Sequence, residues 1–131
     1  MAYAASVTTA DLGVTGGRRH YLVTVVETGV TGATDEWSFT LASAGLPRVC
    51  RVMAVSCVGS GGSATTFANE AGMVTSGSDV YANSATASPI RFKPSAGIVW
   101  PDSATLYGQS NANGTATTIT TKILIMEGSA A

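Results

Sequence analysis

The chain has 131 residues, enough for one domain with its own core, and a net charge of −1 at pH 7. Hydrophobic residues make up 45% of it, but charged residues only 11%, less than half the usual ~25%. With Arg18–Arg19 as its densest basic spot, the chain lacks the basic footprint of sequence-independent nucleic-acid binding.

No stretch approaches the ~20 apolar residues of a membrane helix, so no membrane partner is expected. The start, MAYAASVTTADLGVTGG, has neither a basic n-region nor a continuous apolar core, so it does not read as a secretory signal. Synthesis in the cytoplasm is the expectation. A surface this short of ions must be covered by Ser, Thr, Asn, Gly and Ala. That suits faces hidden against neighbours, because interface cores are depleted in charge. It equally suits an extracellular β domain with a neutral, threonine-rich surface.

In chain order, residues 1–17 form an N-terminal arm carrying Tyr3, Val7, Leu12 and Val14 among small residues, ending at Gly16–Gly17. Such an arm cannot build a core of its own; it frays, or it lies on a partner as an added strand, which would cover those side chains. Residues 18–131 form the domain. HYLVTVVE (His20 to Glu27) is a β-branched strand with apolar residues on both faces, as expected if both sides are covered. TGVTGATD is turn-rich. EWSFTLA then alternates, with Trp37, Phe39 and Leu41 toward the core and Glu36, Ser38 and Thr40 outward.

Ser43 to Pro47 breaks the pattern before the long apolar run Arg48 to Val58. Strict alternation there puts Cys50, Val52, Ala54 and Ser56 on one face, and Val49, Arg51, Met53, Val55 and Cys57 on the other. GSGG (59–62) reads as a turn. Between 63 and 88 the sequence allows a helical turn near Thr66–Ala71, capped by Thr65 or Thr66, and short strands at 72–76 and 79–83. Strands follow at Pro89–Lys93, Ile98–Trp100 and Ala104–Gln109, the last with Leu106 or Tyr107 inward. Turns fall at Pro94–Gly97 and at Asn113–Gly114. The final run, Thr117 to Glu127, sets Ile119, Thr121, Ile123 and Ile125 on one face and Lys122, Leu124 and Met126 on the other. Its position after SNANG predicts a hairpin with Ala104–Gln109.

About eight short strands, with no helical periodicity and no βα alternation, predict a single all-β antiparallel β-sandwich or jelly-roll domain.

Chemistry-bearing groups are sparse. His20, the single histidine, sits at a strand edge beside Arg18 and Arg19 with no recognised base–nucleophile spacing. Cys50 and Cys57 lie about 23 Å apart along an extended strand, on opposite faces, which excludes a disulfide and predicts two free thiols from a reducing compartment. With one His, they do not close a zinc site. Asp35–Glu36 lacks the repeated acids of a calcium loop. Asp79 and Asp102 show no glycosidase pairing, and no phosphate or dinucleotide fingerprint occurs. The sequence therefore predicts no catalytic residue, no metal and no cofactor. Trp37 reads as core, and Trp100, before Pro101, as a core-edge residue or an interface anchor.

The arm MAYAASVTTADLGVTGG, the strand HYLVTVVET and the closing TTITTKILIMEGSAA, in a charge-poor Ala/Gly/Thr-rich chain, resemble the small structural proteins of tailed bacteriophages, and most of all head decoration (cement) proteins. The resemblance implies a virion protein on the capsid surface, bound to the major capsid protein, self-associated as a homotrimer and without nucleic-acid or membrane partners. Tyr3, Val7, Leu12, Arg18 and Arg19 of the arm and its base would meet the capsid, with Trp100 at the trimer contact. Competing assignments are a phage tail or fibre domain, and a carbohydrate-binding β-sandwich module stacking sugars on Trp100 and Tyr107.

Overall fold

A computed structural model describes residues 3–30, 35–47, 49–61, 68–72, 82–84, 90–92, 98–100, 105–111 and 117–128. These residues are all-β, with every strand pairing antiparallel, as the sequence predicts. Among the described residues there are ten strands where about eight were expected.

The strands are β1 (Ala4–Thr15), β2 (Arg18–Val30), β3 (Asp35–Thr40), β4 (Cys50–Gly61) and β5 (Ala68–Gly72). They continue with β6 (Ala82–Ser84), β7 (Ile90–Phe92), β8 (Ile98–Trp100), β9 (Thr105–Asn111) and β10 (Thr117–Glu127). One sheet has six strands in the order β1-β2-β10-β4-β7, with β8 also pairing β4; the other has four, in the order β3-β9-β5-β6. Both sheets feed one buried cluster: Val23, Val25, Val52, Val55, Ile123 and Ile125 from the first, and Trp37, Phe39 and Leu106 from the second.

Trp37, Phe39 and Leu41 are buried as the alternation predicts, and the two rings stack at 5.8 Å. The turn after β3 is held by Thr40 and Ser43, each backbone N–H donating to the other's hydroxyl oxygen, and by Leu46 N–H on the Leu41 carbonyl. On β10, Ile119, Thr121, Ile123 and Ile125 are all fully buried. β2 differs from its expectation: Val23, Val25 and Glu27 are buried, whereas Leu22, Thr24, Val26 and Thr28 are half-buried. A core covers one face only.

Three further expectations are corrected. First, β9 and β10 do not form a hairpin. β10 already uses both edges, on β2 and β4, and β9 uses both, on β3 and β5. Their buried side chains meet across the core, so the connection changes sheets. Second, Gly59–Gly61 extend β4 by pairing with Thr117–Ile119. A ladder partner supplies what glycine lacks in strand preference. Third, residues 68–72 form strand β5, bonded on both sides, where a helical turn was expected. A single helical turn fixes several residues for one hydrogen bond, and two ladders outweigh it.

The most consequential departure lies in β4. Its register against β10 shifts so that Leu124 faces Ala54 while Ile125 faces Val52, leaving Met53 as a bulge. One extra residue inverts the parity of the strand. Cys50, Val52, Val55 and Cys57 are consequently all buried. The two cysteines share the inner side, each a free thiol, and do not face opposite ways.

The turn-rich stretch 28–35 is strand at both ends, Thr28–Val30 closing β2 and Asp35 opening β3; its residues 31–34 lie outside the described residues, as do the turns expected at 94–97 and 113–114, residues 73–81, Asp102 and the last three residues.

Candidate interaction surface

β1 and β2 form a hairpin closed by Gly16 and Gly17, whose φ values of 64° and 78° are the left-handed geometry of a tight two-residue turn. The segment read as an arm thus pairs with its own chain, from Ala4 opposite Thr28 to Thr15 opposite Arg18. The register slips once, between Asp11 and Gly13, around Leu12.

The designated residues separate into groups. Tyr3 and Val7 point toward the core. Val7 is half-buried opposite Val25, and the Tyr3 hydroxyl donates to Glu27 Oε2 at 2.8 Å. Leu12 stays exposed at 52%, with Val14 beside it at 59%.

Arg18 and Arg19 gather at the sheet end formed by the close of β10. Arg18 Nη1 donates to the Glu127 carbonyl at 3.2 Å, and the Arg19 backbone N–H donates to Glu127 Oε1 at 2.9 Å. The Arg19 guanidinium also bonds Asp11 at 2.9 Å. The Asp11 carboxyl lies below its ordinary range, first because the Gly13 amide donates to it and then because of Arg19. His20 Nδ1 donates to the Arg18 carbonyl at 3.0 Å, an ordinary strand-edge contact.

Trp100 belongs to the same end of the sheet by backbone register, opposite Cys50, which is itself opposite Glu127. Arg18, Arg19 and Trp100 therefore share one end of the six-stranded sheet, separated by β10 and β4, whereas Tyr3 lies at the other end. Asp35 pairs with Ser110, and Glu36 is exposed. Asp79 and Asp102 lie outside the described residues.

Sequence reasoning missed two features. One is a buried polar cluster: Glu27 and Thr121 are fully buried, Tyr3 reaches Glu27, and Thr121 Oγ1 donates to Cys57 Sγ at 3.5 Å. The signal was present, since Glu27 falls on the same parity as Val23 and Val25. Tyr3→Phe removes a donor from a buried carboxyl group and should cost about 1–3 kcal/mol, read as a lower urea midpoint at unchanged slope. An unshifted midpoint would show that the bond does not hold the strand.

The other is the outer face of the six-stranded sheet. The register carries Ser6, Thr8 and Ala10 of β1 beside Val26, Thr24 and Leu22 of β2. It then continues to Thr120, Lys122 and Leu124 of β10, and to Val58, Ser56 and Ala54 of β4. These residues are exposed or half-buried, with no described element packed over them. Among these face residues Lys122 is the exposed charge, with Arg51 half-buried near one end. The face is broad, short of charge and rich in threonine. Lone strands did not reveal it, because it is assembled from segments far apart in sequence.

No protein-family model matches the chain, and no curated protein matches it. Among solved structures, the chain is similar to one described as "Cyanophage Pam1 capsid asymmetric unit", with a TM-score of 0.44 and 15% identity, covering 95% of this chain and 84% of that one.

Proposed function

We propose that this protein is a phage head decoration protein that binds the outer surface of the capsid and stabilises its lattice without performing a catalytic step. The observation carrying this is the outer face of the six-stranded sheet, wide and almost free of ions. Charged groups lose hydration when an interface closes, so a face built from Thr, Ser, Ala and Val is inexpensive to bury. The major capsid protein is the partner. Each contact can be modest, because many copies attach to one shell and an attachment engaging several sites at once is strong. The role is mechanical: added buried area across subunit joints resists their separation.

The test is cosedimentation with empty shells assembled from the major capsid protein of the same genome. The wild-type chain should pellet with the shells. Thr120→Glu adds a charge to the face between Val26 and Val58, and should weaken binding roughly tenfold or more, since desolvating a charge exceeds about 1.4 kcal/mol. Circular dichroism should be unchanged. Undiminished binding of this variant would remove the face from the contact, and a wild-type chain that stays in the supernatant would remove the decoration role.

A further inference from the structure

We propose that two copies of this chain join through their β1 edges, pairing antiparallel so that their six-stranded sheets become continuous. Among the described strands β1 bonds to β2 alone, so its second edge presents a row of N–H and C=O groups. Natural sheets blunt such edges by shortness, lysine, proline or bulges. The other sheet edges are short: β6, β7 and β8 have three residues each and β3 has six. β1 has twelve residues, with neither Lys nor Pro, and its one bulge lies toward its end, past Asp11. An edge this long and unguarded suits a strand partner.

Charge and symmetry select a second copy. Asp11 is the sole charged residue of β1, and Arg19 of the same chain neutralises it. Two such edges therefore meet without net repulsion. Pairing centred on Thr8 sets Thr8 opposite Thr8, Val7 opposite Thr9, Ser6 opposite Ala10 and Ala5 opposite Asp11. Threonine pairs across strands are favourable, and the two Asp11 carboxylates lie at opposite ends of the ladder. Centring near Asp11 would bring them together and run into the bulge. Opposed residues share parity, so the outer faces of both sheets fall on the same side. The contact is isologous: it closes at two copies and builds no fibre.

The pairing goes beyond the decoration role and differs from the trimer considered above. Sedimentation equilibrium of the full chain should give twice the 13.2 kDa chain mass. Thr8→Lys and Thr8→Glu, at an exposed outward position, should each be monomeric with unchanged circular dichroism, and an equimolar mixture should return to the dimer mass. Should either lose its dichroism, Thr8→Arg and Thr8→Asp, which keep the charges opposed at the two-fold centre, replace them. A monomeric or trimeric wild type, or lysine variants that stay dimeric, would overturn the pairing. A wild-type monomer that still pellets with shells sinks this contact alone; a dimer with no affinity for shells sinks the decoration role alone.

Discussion

Trp37→Ala should lower the unfolding free energy by about 3–5 kcal/mol, measured by urea denaturation, the range for deleting a large buried ring. Trp37 is buried, stacks on Phe39 and stands opposite Gly108 on β9. A Cβ added at Gly108 would fall inside the Trp37 indole. Gly108→Ala should therefore cost about 1–3 kcal/mol by overpacking, even though alanine is the better strand residue. The two changes should couple. In the Trp37→Ala background the added methyl occupies vacated space, so its cost should fall toward zero. Additive costs would show that the indole does not cover that glycine. Against the ~5–15 kcal/mol that holds a typical domain, this is the largest single-site loss expected here.

Native Cys50 and Cys57 should react with Ellman's reagent at pH 8 at least a hundredfold more slowly than in urea. Burial pushes the Cys50 thiol up to about 11, with the Glu127 charge adding to it. Burial pushes Cys57 up to about 12, opposed by the Thr121 hydrogen bond and reinforced by Glu27. The thiolate is the reactive form, and at pH 8 an unfolded cysteine with a value near 9 is roughly a tenth ionised, against about a thousandth or less for these two. The linkage has a definite sign. Folding raises both values, so the protonated thiols contribute stability that is fully present below the unfolded value near 9. It is lost as pH rises through about 11 and about 12, so the urea midpoint should fall steeply in that alkaline window. Rapid native labelling of one cysteine alone would show that β4 turns the two thiols to different sides.

How much the sequence reveals varies along the chain for physical reasons. β3 could be read residue by residue, and β10 as far as Ile125, because each packs one face on the core and period-two alternation then records burial directly; Met126, expected on the other face of β10, is buried. β4 could not. Its bulge at Met53 arises in the pairing with β10, and a single extra residue reverses which side chains face inward beyond it. The assignment of opposite faces to Cys50 and Cys57 failed for that reason alone. The β9–β10 hairpin failed for another. Turn signals report where a chain reverses, and say nothing of which edges remain free for pairing.

The residues designated for an interface show the same division. Arg18 and Arg19 were identifiable as a basic spot, but their engagement with Glu127 depends on strands more than a hundred residues apart in sequence meeting at one sheet end, and that of Arg19 with Asp11 on the register of the β1–β2 hairpin. Tyr3 was visible as an aromatic in need of cover; its partner Glu27 was visible as an acid on an apolar parity. Nothing in either segment alone joins them.

By itself, the sequence determined the all-β class, most strand positions, the inward faces of β3 and β10, and the scarcity of charge, because these follow from local alternation and composition. Tertiary structure alone decided the strand order, the bulge that turns both thiols inward, the closeness of Trp37 to Gly108, the broad threonine face and the open β1 edge. Each of those depends on which strands become neighbours, a choice made by hydrogen-bonding edges and shared core volume across the whole chain.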